Sequence, residues 1–108
     1  SAISVAELRY GIASMPTGRR QTILHNRLED EVLPHFFERI LPFTLSTSRF
    51  YSELMADARA SGKAIAKADG FIAATAAEMG LVVATRDTSP FAAAGLKAIN
   101  PWNGQNFN

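Results

Sequence analysis

Apolar residues recur at helical spacing along several stretches of this chain, and short continuous apolar runs lie between them. Val5, Leu8 and Ile12 form an i, i+3, i+7 stripe. Ser4 at an N-cap and Glu7 three residues on match a capping box in front of it. Ser1-Ala2-Ile3-Ser4 reads as the end of a strand, and Met15-Pro16-Thr17-Gly18 ends the helix. A polar helix is expected from Arg19 to about Leu33, with Leu24, Leu28 and Val32 on one face and Pro34 stopping or kinking it. His35–Glu38 adds one more turn. Arg39–Phe43 is short and apolar and predicts a strand, with Pro42 favouring its end or an edge. Ser46 or Ser48 then caps a helix carrying Phe50, Tyr51, Leu54, Met55 and Ala58 on one face, closed at Gly62.

An Ala-rich helix follows from Lys67 to about Met79, with Gly80 past its end. Leu81–Thr85 is continuous and β-branched, the pattern of a strand covered on both faces. Thr88-Ser89-Pro90 begins another helix with Pro just inside it, Gly95 closes that helix, and Lys97–Ile99 is a last short strand. Pro101–Asn108 is a polar tail. The resulting order, strand stub–α–α–β–α–α–β–α–β, predicts an α/β layer fold.

Composition narrows the chemistry more than the fold. A length of 108 residues is that of one domain, and 47% apolar with 19% charged residues is the balance of a soluble globular chain. The formal net charge of +1 gives no bulk basic signal for nucleic acid. The absence of Cys excludes disulfides, thiolate zinc sites and Cys nucleophiles. No apolar run approaches the ~20 residues of a bilayer span and no signal peptide opens the chain, so no membrane association and a cytoplasmic location are expected. No Gly-rich phosphate loop occurs.

Three acids fall at element ends on the side where an open parallel sheet builds its ligand site: Glu7, Asp69 and Asp87. Carboxylates gathered there suit a hard divalent cation that keeps several waters. Each acid also has a local reading. Glu7 can be the reciprocal partner of Ser4, Asp69 a first-turn acid favoured by the helix dipole, and Asp87 a turn residue of Asp-Thr-Ser-Pro. Thr85 offers a hydroxyl at the strand end, while Arg86, Lys67 and Lys63 lie beside the acids as candidate phosphate contacts. His25 and His35 read as helix-surface residues.

The segments SAISVAELRYGI, KADGFIAATAAEMGLVVATRDTSPF and LKAINPW resemble, in that order and over nearly the whole chain, the PIN-domain ribonucleases of the VapC/FitB toxin group. The pattern D-x-x-I-A-A-x-A-x-x-x-G-x-x-x-x-T-R-D is filled by Asp69, Ile72, Ala73, Ala74, Ala76, Gly80, Thr85, Arg86 and Asp87. The family's second acid, in S-x-x-E-L, falls on Glu7. Its third and fourth fall on Asp69 and Asp87, and its strand-end hydroxyl on Thr85. The family opens with a central strand ending in Asp-Thr/Ser-Asn, and this sequence has no equivalent before Ser1. The resemblance therefore implies one PIN-like domain over residues 1–108, N-terminally incomplete, with a parallel sheet flanked by helices.

It further implies a Mg²⁺- or Mn²⁺-dependent endoribonuclease, the toxin half of a type II toxin–antitoxin pair. Glu7, Asp69 and Asp87 are then the metal ligands, and RNA is cut by a metal-activated water. A cognate antitoxin, a homodimer, and operator DNA bound only through the antitoxin complete the expected partners. The alternative is a catalytically inactive PIN-like module that binds an antitoxin or a second copy of itself.

Overall fold

The computed structural model describes residues 1–101, so all of the expected tail after Pro101 lies outside the described residues. The chain divides into two compact units, Ser1–Pro42 and Phe43–Asn108. In the first unit, α1 spans Ala2–Ala13 and its N-cap is Ser1, whose Oγ accepts from the Ser4 N–H at 3.1 Å. Ser1–Ser4 is therefore a helix start and not a strand end, and Glu7 lies beyond the capping position expected for it. The Ser1-x-x-Ser4 spacing places a hydroxyl before an uncapped helical N–H three residues sooner than Ser4 would. At the other end, the Gln21 side-chain amide donates to the Ile12 and Met15 carbonyls at 3.0 and 3.3 Å and ties the helix end to the turn that follows it.

The polar helix persists through Pro34. It runs as α2 (Arg19–Asn26), a π-helical segment (Arg27–Val32), α3 (Leu33–Phe36) and a 3₁₀ turn at Phe37–Arg39. The Leu33 N–H bonds back to the Leu28 carbonyl, five residues away, and Pro34 falls in the first turn of α3, where no N–H is required. Leu28 is buried. Arg9 donates from Nε and Nη2 to the two Glu29 oxygens at 3.0 and 2.7 Å. These hydrogen bonds hold the Glu29 carboxyl below its usual range, yet an exposed pair of this kind adds little stability. Arg39–Phe43 forms no strand: a 3₁₀ turn ends at Arg39 and the following residues carry no ladder partner among the described residues. Pro42 withholds an N–H from so short a run, and an apolar pentapeptide without a neighbouring edge does not make a strand.

In the second unit, α4 covers Leu45–Ala60 and is capped by Thr44, not by Ser46 or Ser48. Thr44 Oγ1 accepts from the Thr47 N–H at 3.3 Å while Thr47 Oγ1 accepts from the Thr44 N–H at 3.0 Å. Thr47 is fully buried and lies 2.7 Å from Glu78 Oε1, to which its hydroxyl donates. Hydrogen bonds from Ser46 and Thr47 hold the Glu78 carboxyl below its ordinary range. A carboxyl depressed in the folded state stabilises that state above the unfolded-chain pKa, and the contribution fades as pH falls through the folded value. Glu78→Gln is therefore expected to lower the thermal midpoint at pH 7 and to flatten its decline below pH 5. Melting curves at both pH values check this.

The α5 helix spans Lys67–Met79 and ends at Gly80, whose φ of 64° is left-handed. The Leu81 N–H then reaches the Ala76 carbonyl at 2.9 Å and closes the helix end. Small residues let α5 approach α4. Ala73 and Ala74 are wholly buried, and a Cβ at Gly70 would stand 2.6 Å from Met55 Sδ and 3.0 Å from Tyr51 Cε2. Tyr51 stacks on Phe71 with ring centroids 4.6 Å apart, and Phe43 meets Phe71 edge-on at 5.2 Å. The core is completed by Leu54, Ala76, Val83 and Phe91, with Phe50, Tyr51 and Met55 packed on it.

Two strands, β1 (Val83–Ala84) and β2 (Ala98–Ile99), pair in parallel with Val83 opposite Ala98, and α6 (Ser89–Ala93) connects them. The parallel, helix-flanked α/β architecture matches the sequence expectation. The strand expected over Leu81–Thr85 is shorter and is not covered on both faces. Leu81 and Val82 are about half exposed, at 49% and 50%. Among the described residues β1 has a ladder partner on one side only, so its leading residues gain neither hydrogen bonds nor a second packing face.

Candidate functional site

Asp69 and Asp87 reach one place by different routes. Asp69 is half-buried in the first turn of α5, where Gly70 lets the helix seat against Tyr51 and Met55. The macrodipole favours an anion there. Asp87 is exposed on the turn after β1, and that turn is built by its own side chains. The Thr85 hydroxyl accepts from the Asp87 N–H at 3.3 Å, and Asp87 Oδ1 accepts from the Ser89 N–H at 3.1 Å. Backbone pairing of the Thr85 N–H with the Ile99 carbonyl at 2.9 Å fixes the turn to the sheet. The Asn100 side-chain amide donates to the Arg86 carbonyl at 3.1 Å and ties its far side.

Asp69 and Asp87 line the same concavity, about 550 Å³ in volume, together with Lys63, Ser89 and small apolar residues such as Ala64 and Ala66. Lys67 begins α5, is exposed, and is not among the lining residues. Thr85 acts on the site through the turn that carries Asp87. Glu7 is an exposed residue of α1 in the first unit. Within the second unit the structure brings Asp69 and Asp87 together. Among the described residues no three His, Asp or Glu side chains gather as a metal-holding group. The turn read in Asp-Thr-Ser-Pro is present, closed from Asp87 to the Ser89 N–H, while Ser89 as a lining residue was not expected from sequence.

Two oxygen-donor carboxylates facing one concavity fit a hard dication, which needs only one or two carboxylates when water fills its other positions. The lining contains no aromatic ring. The site can hold charge and a phosphodiester, but it offers no surface on which a base would stack.

The PIN domain profile matches residues 1–96. The chain belongs to the PIN domain family. Among PIN proteins it stands with the VapC/FitB type. It is 66% identical over 102 residues to VapC ribonuclease Y4jK of Sinorhizobium fredii, covering 94% of this chain and 73% of that protein. It is 50% identical to Toxin FitB of Neisseria gonorrhoeae, covering 95% of this chain and 74% of the toxin. The solved structure of FitAB bound to an IR36 DNA fragment superposes with a TM-score of 0.90 at 44% identity, over 99% of this chain and 75% of the other. No helix among the described residues is long and apolar enough to cross a membrane.

Proposed function

We propose that this PIN-domain chain is the toxin of a toxin–antitoxin pair and acts as a Mg²⁺- or Mn²⁺-dependent endoribonuclease. The observation that carries the proposal is that Asp69 and Asp87 share one concavity in a chain so similar to a protein named as a VapC ribonuclease. Asp69 and Asp87 would hold the ion. Glu7 is assigned as a third ligand on the family pattern alone. When bound, such an ion supplies an activated water and neutralises charge at the phosphodiester.

The chain's own residues prepare the site. Asp87 spends Oδ1 on the Ser89 N–H and keeps Oδ2 for ligation. Thr85 fixes the turn that aims Asp87. Ala64 and Ala66 leave room for a polymer backbone beside the carboxylates. Arg86, next in sequence to Asp87, and Lys67, two residues before Asp69, are proposed phosphate contacts. The partner proposed from the FitAB likeness is a cognate antitoxin, with operator DNA engaged through it, a homodimer as the toxin's own assembly, and the cytoplasm as the place of action. Cleavage of single-stranded RNA by the purified protein, stopped by EDTA and restored by Mg²⁺ or Mn²⁺, is the test.

A further inference from the structure

The carboxylate concavity does not end at Lys63. Lys63 also lines a second concavity of about 480 Å³, whose walls include Arg59, Met55 and Ile65. The two hollows therefore meet along Lys63 and Ala64, and the charged member of that shared wall is the lysine. Arg59 and Lys63 are both exposed, and neither has an ion-pair partner among the described residues.

Their placement is fixed by the end of α4. Gly62 takes a left-handed φ of 73°, which lets the Lys63 N–H turn back to the Ala58 carbonyl at 2.8 Å and the Gly62 N–H to the Arg59 carbonyl at 3.0 Å. This closure anchors the Lys63 backbone at the rim instead of leaving it on a loose loop. The second hollow is mainly aliphatic apart from its cations and, like the first, has no aromatic lining. What the two hollows share is positive charge at their junction and acids at one end.

We propose that Arg59 and Lys63 form a phosphate track that leads a single RNA strand along the second hollow into the Asp69–Asp87 site. The inference rests on the ribonuclease reading above and adds the strand's path and the residues that hold it. Two cations spaced along a groove that ends in acids bind sugar–phosphate charge without reading bases. Lys63 neutralises the phosphate next to the site, and Arg59 the one beyond it. The track acts equally on bound substrate and on the transition state, so its loss raises KM and leaves kcat in place.

The test is equilibrium binding of a fluorescein-labelled single-stranded RNA across a KCl series in EDTA, where no cutting occurs, alongside steady-state cleavage in Mg²⁺. Arg59→Ala and Lys63→Ala are each expected to lower the slope of log Kd against log salt by about 0.7 and to weaken binding roughly eightfold near 50 mM salt. The double variant loses about twice that slope. Lys63→Arg restores the slope. Arg49→Ala, an exposed α4 cation that lines neither hollow, leaves it unchanged. In cleavage, the double variant shows a raised KM and an unaltered kcat. Slopes equal to wild type in an enzyme that cuts RNA overturn the track and leave the ribonuclease reading standing. Reduced slopes in a protein that never cuts RNA support the track and overturn the ribonuclease reading.

Discussion

Asp69→Asn is expected to abolish RNA cleavage, lowering kcat/KM by about three orders of magnitude, or ~4 kcal/mol of transition-state stabilisation. The amide keeps the volume of Asp69 and its place in the first turn of α5. It removes the charge that a dication requires. Asp69 is not part of the core: the packing of α5 on α4 is made by Gly70, Ala73 and Ala74. The variant should therefore fold and melt close to wild type while losing activity. Retained cleavage in a well-folded Asp69→Asn protein would remove this residue from the site.

Phe91→Ala is expected to have the largest effect on stability. Phe91 is 3% exposed and packs in the core formed with Leu54, Ala73, Ala74 and Val83. Truncating a buried Phe to Ala costs about 3–5 kcal/mol, because the lost contacts are compounded by a cavity that the surroundings cannot fill. The α5 members of that core, Ala73, Ala74 and Ala76, have no side chain to move into the gap. The loss extends to function, since α6 begins two residues after Asp87 and Phe91 seats that helix. Thermal melting should show a fall of roughly 15–20 °C. Phe91→Leu, which fills most of the volume, should recover the greater part of it. A Phe91→Ala protein that melts within a few degrees of wild type would contradict the core described above.

The second unit was far more legible in the sequence than the first. Lys67–Met79 ends where the sequence places it because Gly80 alone can take the left-handed turn at no cost and Ala-rich sequence favours helix throughout. The placement of Asp69 and Asp87 was legible because both stand at element ends, which local sequence marks well. The strand at Arg39–Phe43 and the length of Leu81–Thr85 were not, because a strand exists only with a neighbour to pair with, and pairing is not a local property. The π-helical passage before Pro34 hides because the i, i+4, i+8 spacing of Leu24, Leu28 and Val32 also suits an ordinary helix, and nothing local marks the switch to i to i−5 bonding. Arg59 was missed because its interest lies in a hollow that adjoins the carboxylate concavity at Lys63, and no spacing in the chain announces that junction.

RNA cleavage by the purified protein under metal control tests the central claim most directly. The account predicts that single-stranded RNA is cut in Mg²⁺ or Mn²⁺, that EDTA stops the cutting, that added metal restores it, and that Asp69→Asn fails under every condition. Cutting that continues in excess EDTA, or that proceeds unchanged in Asp69→Asn, would contradict it.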